Sequence, residues 1–352
     1  MNVRNEIKKI LNILFEVPFA ISSIKEIVSS VIDKKINRDL IVIYGENHLS
    51  ELDAKIISWL IKRLKPYKVL SEGYILKSED LREVEGSIED FKKEFIENMK
   101  EIGTIKYYLE TISDRISEEE RQKLENIISE ILKRYSIKNK RKKYEINIDT
   151  NLFDLNGKEF YNLRKFVEES INSFIYEKLD TDIEKYLTYL SDLYKYLELL
   201  IPSRIIYRLT IRDFYIKEAI LKVGSEEKII DNNEHLREEL NKAYNENNIE
   251  LIRYINNLRE REMAYEIMKS VEELKREFGK YRILVIVGAA HAKNIREILK
   301  NNGIKNVRVV SNLYIFDLDM SMNIEYYNSE YEEFQLKIDK LLNYLKHSNK
   351  NL

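Results

Sequence analysis

The chain has 352 residues, 44% hydrophobic and 34% charged, which suits one large folded domain or two and excludes a disordered protein. Its 59 Lys and Arg residues nearly balance 61 Asp and Glu residues, so the net charge of -2 favours neither nucleic acid nor an acidic membrane as a partner. Because cysteine is absent, disulfides, cysteine-zinc sites and thiol catalysis are excluded, and we expect a cytoplasmic protein.

The first element is an apolar stretch at residues 7–27, interrupted by Glu16 and followed by no clear cleavage site for a leader peptide. One helical face of this stretch is formed by Ile10, Leu11, Leu14 and Phe15. Such a face packs on a protein core more often than on a membrane, so we expect an N-terminal helix of the fold. No run of about eighteen uncharged apolar residues occurs, so no transmembrane segment is predicted.

Four β-rich runs stand out from an otherwise helical sequence, at residues 40–44, 68–72, 283–287 and 307–310. A helix is predicted over Glu51–Leu64, beginning at the capping pair Ser50 and Asp53 and ending before Pro66. A second is predicted over 292–300, with Gly303 past its end. Strand, helix and strand in this order, repeated twice, predict an α/β fold with a mostly parallel central sheet flanked by helices.

A large all-helical insertion is predicted between the two halves of the sheet. Residues 88–135 are rich in Glu and Lys with apolar positions at helical spacing, and a loop or hairpin at 144–155 precedes a second helical block. In that block a stripe of leucines indicates packing against a core rather than a cofactor site. We therefore predict an N-terminal helix and first half of the α/β core at 1–80, a helical cap or lid at 81–225, and the second half of the core with a C-terminal helix at 226–352.

Two matched tetrads follow strands directly: Gly-Glu-Asn-His at 45–48 and Gly-Ala-Ala-His at 288–291. The chain has only four histidines and nine glycines, so two such tetrads are not expected by chance. Glycine permits the sharp turn from strand to helix, and the histidine that follows is predicted at a helix N-terminus, at the sheet edge where ligands bind in α/β folds. The other two histidines, His235 and His347, lie in charged helical sequence and are predicted to be exposed.

Carboxylates complete this pattern, because Glu72 follows the second strand and Glu46 lies within the first tetrad. The helix dipole disfavours imidazolium, so we expect His48 and His291 to be neutral, the form that a metal ion or a general base requires. Two imidazoles and a carboxylate suit Zn²⁺, Mn²⁺ or Co²⁺ with an open position for water. The same residues also suit a metal-free mechanism in which a carboxylate orients a basic histidine.

These motifs resemble those of the TraB/Tiki group, which also contains the erythromycin esterases and the ChaN haem-binding proteins. Residues 44–48 (Tyr-Gly-Glu-Asn-His) are similar to the ChaN and esterase members, and 288–291 to TraB itself. Residues 258–264 (Leu-Arg-Glu-Arg-Glu-Met-Ala) resemble the group's arginine-containing helix, with Arg259 at the matching position. Glu260 stands where the group often has Asn or Asp. The resemblance covers 38–80 and 255–320, and not the helical insertion.

The resemblance implies a hydrolase, because Tiki members are metal-dependent peptidases and the esterases open a lactone with a histidine-activated water. His48, His291 and Glu72 would hold a divalent metal or activate water, and Arg259 would stabilise an oxyanion. Arg261 and the Arg212-Asp213 pair are alternative sources of that arginine. Glu46 would assist at the site, and the substrate would be a peptide or a small molecule.

Two other functions fit the sequence. A ChaN-like module would bind haem or a metal without turnover, with Tyr44 and Tyr74 flanking the motifs. Alternatively, a regulatory or scaffold protein would act through its helical insertion, which is also the expected surface for self-association. A basic run at 138–143 does not by itself indicate nucleic-acid binding. Abundant Lys and Glu with only two glutamines are typical of thermophile proteins, although an AT-rich genome gives a similar bias.

Overall fold

The structure is a computed structural model that describes residues 21–35, 37–74, 76, 88–138, 145–155, 157–175 and 181–311. The apolar face predicted at residues 10–15, the C-terminal helix, His347 and most of the basic run at 138–143 lie outside the described residues. No helix in the described ranges combines the length and the apolar character needed to cross a bilayer.

The described residues form five strands and ten α-helices. The strands are β1 (Leu40–Glu46), β2 (Lys68–Ser71), β3 (Glu226–Ile229), β4 (Arg282–Gly288) and β5 (Val307–Ser311). The helices of the first half are α1 (Ile21–Lys35), α2 (Glu51–Leu64), α3 (Ile88–Ile102), α4 (Ile105–Thr111) and α5 (Glu118–Lys138). Those of the second half are α6 (Gly157–Ile175), α7 (Thr181–Val223), α8 (Glu234–Asn245), α9 (Ile249–Phe278) and α10 (Ala289–Asn301).

All five strands are parallel and lie in the order β3-β2-β4-β1-β5. The predicted α/β class, with a parallel sheet and a large helical segment between its strands, is therefore confirmed. The order also explains the position of the site, because β4 lies at the centre of the sheet with β1 and β2 on either side of it. The carboxyl ends of these three strands consequently lie side by side at one edge of the sheet.

Two hydrophobic layers cover the sheet. On one face, α1, α2 and the C-terminal part of α7 pack against alternate strand residues such as Val42 and Leu284. On the other face, α9 and α10 pack against the intervening residues, such as Ile43 and Val285. Apolar side chains on both faces are what a central parallel strand requires, and they explain the uninterrupted apolar runs in β1 and β4.

The described residues divide by their contacts into two compact units. One unit, here called the α/β unit, comprises residues up to 88 and from 208 to 311, and contains the whole sheet. The other, the helical unit, comprises 89–207 and contains α3 to α6 with the first part of α7. Its core includes the leucine stripe predicted from the sequence, of which Leu190, Leu193, Leu197 and Leu200 are buried.

One strand was not predicted. The edge strand β3 has the sequence Glu-Glu-Lys-Ile and is partly exposed, so it carries neither an apolar run nor a clear alternation. It nevertheless pairs with β2 along its whole length. The predicted helix at 292–300 begins three residues earlier in the structure, at Ala289, directly after β4. Helix α2 has the predicted bounds, with the Ser50 hydroxyl accepting a hydrogen bond from the Asp53 amide.

Candidate functional site

The carboxyl ends of β1, β2 and β4 bring His48, Glu72 and His291 together in the α/β unit. The Nε2 atom of His48 lies 3.7 Å from Oε2 of Glu72, and the Nε2 atom of His291 lies 3.8 Å from Oε1 of the same carboxylate. These three residues are separated by up to 243 positions in the sequence. Their juxtaposition follows from the sheet order, which places their strands side by side.

Gly288 lies between these three side chains. A Cβ atom at Gly288 would lie 3.3 Å from Nε2 of His48, 3.4 Å from Oε2 of Glu72 and 3.6 Å from Cδ2 of His291. Its backbone angles, φ −53° and ψ 140°, are open to any residue. Glycine is therefore useful here because it leaves room between the three polar side chains, and not because of its backbone conformation.

The His48 imidazole is oriented by Glu46. Its Nδ1 atom lies 2.9 Å from Oε1 of Glu46, whose side chain is fully buried. Glu46 is in turn held by Arg212 of α7, which donates from Nε to Oε2 at 3.1 Å and from a terminal nitrogen to Oε1. His48 itself keeps 40% of its side chain exposed, so the ring is accessible from solvent.

The His291 imidazole is oriented in the same way by a carboxylate from another element. Its Nδ1 atom lies 2.9 Å from Oε1 of Glu260, which comes from α9. Asn294, one turn later on α10, donates to both oxygens of Glu260 at 3.2 and 3.1 Å. The His291 side chain is only 11% exposed. The two imidazoles thus have matching partners but different access to solvent.

Glu72 is held between the two imidazoles by two donors. The Arg259 guanidinium donates to Oε1 at 2.8 Å, and the Gly288 amide donates to Oε2 at 2.7 Å. The same terminal nitrogen of Arg259 also donates to Asp231 at 2.8 Å, and the other donates to Asn256 at 3.0 Å. Arg259 is 8% exposed, so its contacts fix the carboxylate from the buried side.

The electrostatics of the site are dominated by these buried carboxylates. Burial alone would raise the pKa of Glu46, but the charges and hydrogen bonds of Arg212 and His48 lower it to about 2. Burial opposes ionisation of Glu72 too, yet His48, His291 and Arg259 hold its pKa well below the ordinary value of 4.5. Both glutamates are therefore ionised at neutral pH.

The expectation that both histidines are neutral is wrong for His48 in the metal-free protein. Burial would lower its pKa, but the charge of Glu46, its hydrogen bond and the nearby Glu72 raise the pKa to about 10. The predicted position also differs, because α2 begins at Glu51 and His48 lies in the turn before the Ser50 cap. The helix dipole is therefore a weaker influence on this ring than the two carboxylates. His291 does lie in the first turn of α10, as predicted.

The structure distinguishes the candidate arginines. Arg259 contacts Glu72, whereas Arg261 lies on the exposed face of α9. Arg212 also reaches the site, but through Glu46, and Asp213 pairs with it. His235 is exposed, with 76% of its side chain accessible, as predicted.

Sequence reasoning gave no role to three groups that orient the site: Glu260, Asp231 and Asn294. Each lies on a helix or loop far from its partner in the sequence, so no local motif could connect them. For Glu260 a signal did exist, because it follows Arg259 in the arginine-containing helix. The tyrosines named for the haem alternative lie elsewhere: Tyr44 is fully buried with its hydroxyl donating to Asp53, and the Tyr74 ring lies under the Lys217 ammonium.

The chemistry of the donor set suits a divalent metal ion. Each imidazole has Nδ1 against a glutamate, which is the usual outer partner of a metal-binding histidine, and directs Nε2 towards Glu72. Donors that share one ion at about 2.1 Å lie roughly 3.4 Å apart, which is close to the 3.7 and 3.8 Å separations. Among the described residues, however, no three acidic or histidine side chains are already assembled to hold a metal ion.

Comparisons with known proteins give no relative for this chain: no family model matches it, and neither curated proteins nor solved structures show a significant match.

Proposed function

We propose that the protein is a divalent-metal-dependent hydrolase that cleaves a peptide or ester bond at the edge of its sheet. One observation carries this proposal. Two imidazoles, each held at Nδ1 by its own glutamate, direct their Nε2 atoms at the two oxygens of a single carboxylate, Glu72. The resemblance of the paired Gly-x-x-His motifs to the TraB/Tiki group agrees with it.

His48, His291 and Glu72 are the residues that would hold the metal ion. Such an ion, when bound, supplies a Lewis acid and an activated water at neutral pH. The local charge favours a cation, because Glu46, Glu72 and Glu260 all contact the imidazoles. The two guanidiniums that pair with Glu46 and Glu72 are each shared with an aspartate, so they do not neutralise these carboxylates fully.

The chain's own residues prepare the site in three ways. Glu46 and Glu260 hold a proton on Nδ1 of each imidazole, so that each Nε2 would be the ligand once a metal ion displaces the second proton of His48. Arg259 and the Gly288 amide fix Glu72. The 40% exposure of His48, against 11% for His291, makes the His48 side of the group the one that a substrate approaches.

A second candidate is hydrolysis without a metal ion. The Glu46–His48 pair favours it, because a carboxylate that orients an accessible imidazole is the arrangement of a general base. In this mechanism the Nε2 atom of neutral His48 would take a proton from water while Glu46 stabilises the imidazolium. Because the pKa of His48 is about 10 without a metal, this activity should increase as the pH rises towards 10. Glu72, which faces the same nitrogen, would help to position the water molecule.

The test is hydrolysis of a panel of peptide and ester substrates by protein that has been dialysed against a chelator and then supplied with Mn²⁺, Co²⁺ or Zn²⁺. We expect activity that returns only with metal. The variant His48→Ala should lose at least about 100-fold of this activity while remaining folded, with a thermal midpoint lowered by the loss of the Glu46–His48 pair. The exposed His235→Ala variant is the matched control and should retain full activity.

The outcomes separate the candidates. Activity that survives chelation but is lost in His48→Ala supports the metal-free mechanism. Full activity in His48→Ala refutes both mechanisms, as does a purified protein that hydrolyses none of the substrates and binds none of the three metals.

A further inference from the structure

Arg212 is a buried guanidinium that reaches the site from α7, on the face of the sheet opposite to α9. Its side chain is 3% exposed. It donates twice to Glu46, once to the backbone carbonyl of Gly73 at 3.1 Å, and once to Asp213 at 2.7 Å. Nothing in the motifs of the first and second strand ends predicts this contact.

These bonds connect two of the three strand ends that form the site. Glu46 orients His48, in the loop after β1, and Gly73 directly follows Glu72, in the loop after β2. Asp213 extends the connection, because its second oxygen accepts a hydrogen bond from the Leu76 amide at 2.8 Å. One turn earlier on α7, Arg208 donates to the carbonyl of Leu49 at 3.4 Å.

We propose that Arg212 is a positioning residue of the site, which holds the Glu46–His48 pair and the Glu72 loop in register with each other. This inference rests on the proposed function for its effect on catalysis, but the positioning of His48 can be measured without any activity. Arg212 does not contact either imidazole or the oxygens of Glu72 in the described structure, so it acts through Glu46 and Gly73.

The geometry of the guanidinium explains why an arginine is needed. Three of its nitrogens donate to three different groups, and a planar fork can satisfy them at once. A lysine would retain the charge beside Glu46 but could not maintain the same set of directed bonds. We therefore expect Arg212→Lys to keep the fold while loosening the two loops, and Arg212→Gln to disturb them more.

The first measurement is the imidazole nitrogen spectrum of protein labelled with ¹⁵N-histidine, in the absence of metal. The chain has only four histidines, so the His48 signals can be assigned by comparison with His48→Ala. In Arg212→Lys and Arg212→Gln the His48 Nδ1 signals should shift or broaden, while those of the exposed His235 stay unchanged. Arg308→Lys is the matched control, since Arg308 pairs with Glu26 and Asp33 in the same unit, away from the site.

The second measurement is the affinity for Mn²⁺, by calorimetric titration of the full chain. Arg212→Gln should bind Mn²⁺ about 10- to 100-fold more weakly than the unsubstituted protein, Arg212→Lys should lie between them, and Arg308→Lys should equal the unsubstituted protein. If Arg212→Gln does not fold, the double variant Glu46→Gln/Arg212→Gln removes both buried charges and allows the comparison with Glu46→Gln alone. Because Arg212 is proposed to act through Glu46, adding Arg212→Gln to Glu46→Gln should change the Mn²⁺ affinity little.

Folded Arg212 variants with His48 signals like those of the unsubstituted protein would overturn the inference, as would fully additive effects of the Glu46 and Arg212 substitutions on those signals. A different result bears on the proposed function alone: the unsubstituted protein binds no divalent metal and hydrolyses nothing, while the Arg212 variants still displace the His48 signals. In that case Arg212 positions His48, but the group is not a metal-dependent hydrolytic site.

Discussion

The two imidazoles at the sheet edge are each bound by a glutamate at one nitrogen and face a shared carboxylate with the other. Glu46 and Glu260 both lie 2.9 Å from an Nδ1 atom, although one precedes its histidine by two residues and the other by 31. A buried glutamate beside a histidine is costly unless the pair has an orienting or charge-balancing role. The repetition of this costly arrangement on both rings is the main argument at the residue scale for a functional site.

The role of Glu260 can be tested by Glu260→Gln, which preserves its size but removes its charge. We expect the affinity for Mn²⁺ to fall about 10- to 100-fold, because the outer carboxylate no longer fixes the orientation and tautomer of His291. The measurement is calorimetric titration with Mn²⁺. The control is Glu262→Gln, two positions along the same helix but exposed, which should leave the affinity unchanged. Equal affinity of both variants would mean that Glu260 is only a structural partner of Asn294.

The Glu46–His48 pair predicts the pH dependence of stability in the metal-free protein. The pKa of Glu46 is lowered from 4.5 to about 2. Its contribution to the free energy of unfolding is therefore complete above pH 4.5 and is lost as the pH falls towards 2. The pKa of His48 is raised from 6.5 to about 10, so its contribution is complete below pH 6.5 and is lost as the pH rises towards 10. The pair therefore stabilises the fold most between pH 4.5 and 6.5.

Urea unfolding at several pH values, in the presence of a chelator, measures this dependence. The acidic loss attributable to Glu46 is on the order of 3 kcal/mol in the free energy of unfolding. Glu46→Gln should show a smaller acidic decline than the unsubstituted protein, and His48→Ala should show a smaller alkaline decline. Identical pH profiles for all three proteins would contradict the proposed ion pair.

At the scale of elements, the site depends on where each strand turns into the following segment. Gly288 ends β4 with ordinary backbone angles, and its missing side chain leaves the space between His48, Glu72 and His291 open. Gly73 follows Glu72 at the end of β2, and a Cβ atom there would meet nothing within 4 Å. These two glycines, one before His291 and the other after Glu72, thus have different consequences for the site.

This difference gives a matched pair of variants. Gly288→Ala should lower metal affinity and hydrolysis by about 100-fold, because its methyl group would lie between the three proposed ligands, while stability changes by less than about 1 kcal/mol. Gly73→Ala should change neither affinity nor activity. Metal titration and urea unfolding of both variants check the prediction. An unaffected Gly288→Ala protein would show that no ligand enters the space beside Gly288.

The elements also show which parts of the fold local sequence patterns can predict. The bounds of α2 could be predicted because Ser50 caps its start and Pro66 follows its end, both of which are local signals. The strand runs of β1 and β4 were recognisable because a strand covered on both faces needs apolar residues throughout. Strand β3 was not recognisable, since its pairing with β2 depends on the rest of the sheet rather than on its own residues.

At the scale of the whole molecule, the sequence predicted which residues meet but not what holds them. His48, Glu72 and His291 could be placed together because the parallel sheet brings strand ends to one edge. Arg212, Glu260 and Asp231 come from α7, α9 and the segment after β3, and their contacts depend on how helices pack over the sheet. No spacing rule encodes such packing, so the groups that orient the site became visible only in three dimensions.

All of these groups lie in the α/β unit, and this makes the effect of a bound ion on the whole chain predictable. A ligand that binds only the folded state stabilises it by about 2.7 kcal/mol at a concentration 100 times its dissociation constant. Mn²⁺ or Zn²⁺ should therefore raise the thermal midpoint of the full chain, and a chelator should reverse the increase. Hydrogen exchange should slow at residues 45–50, 71–74 and 288–292, since these three segments would be held by one ion. His48→Ala/His291→Ala should lose both effects and His235→Ala should keep them; an increase of equal size in the double variant would place the ion elsewhere.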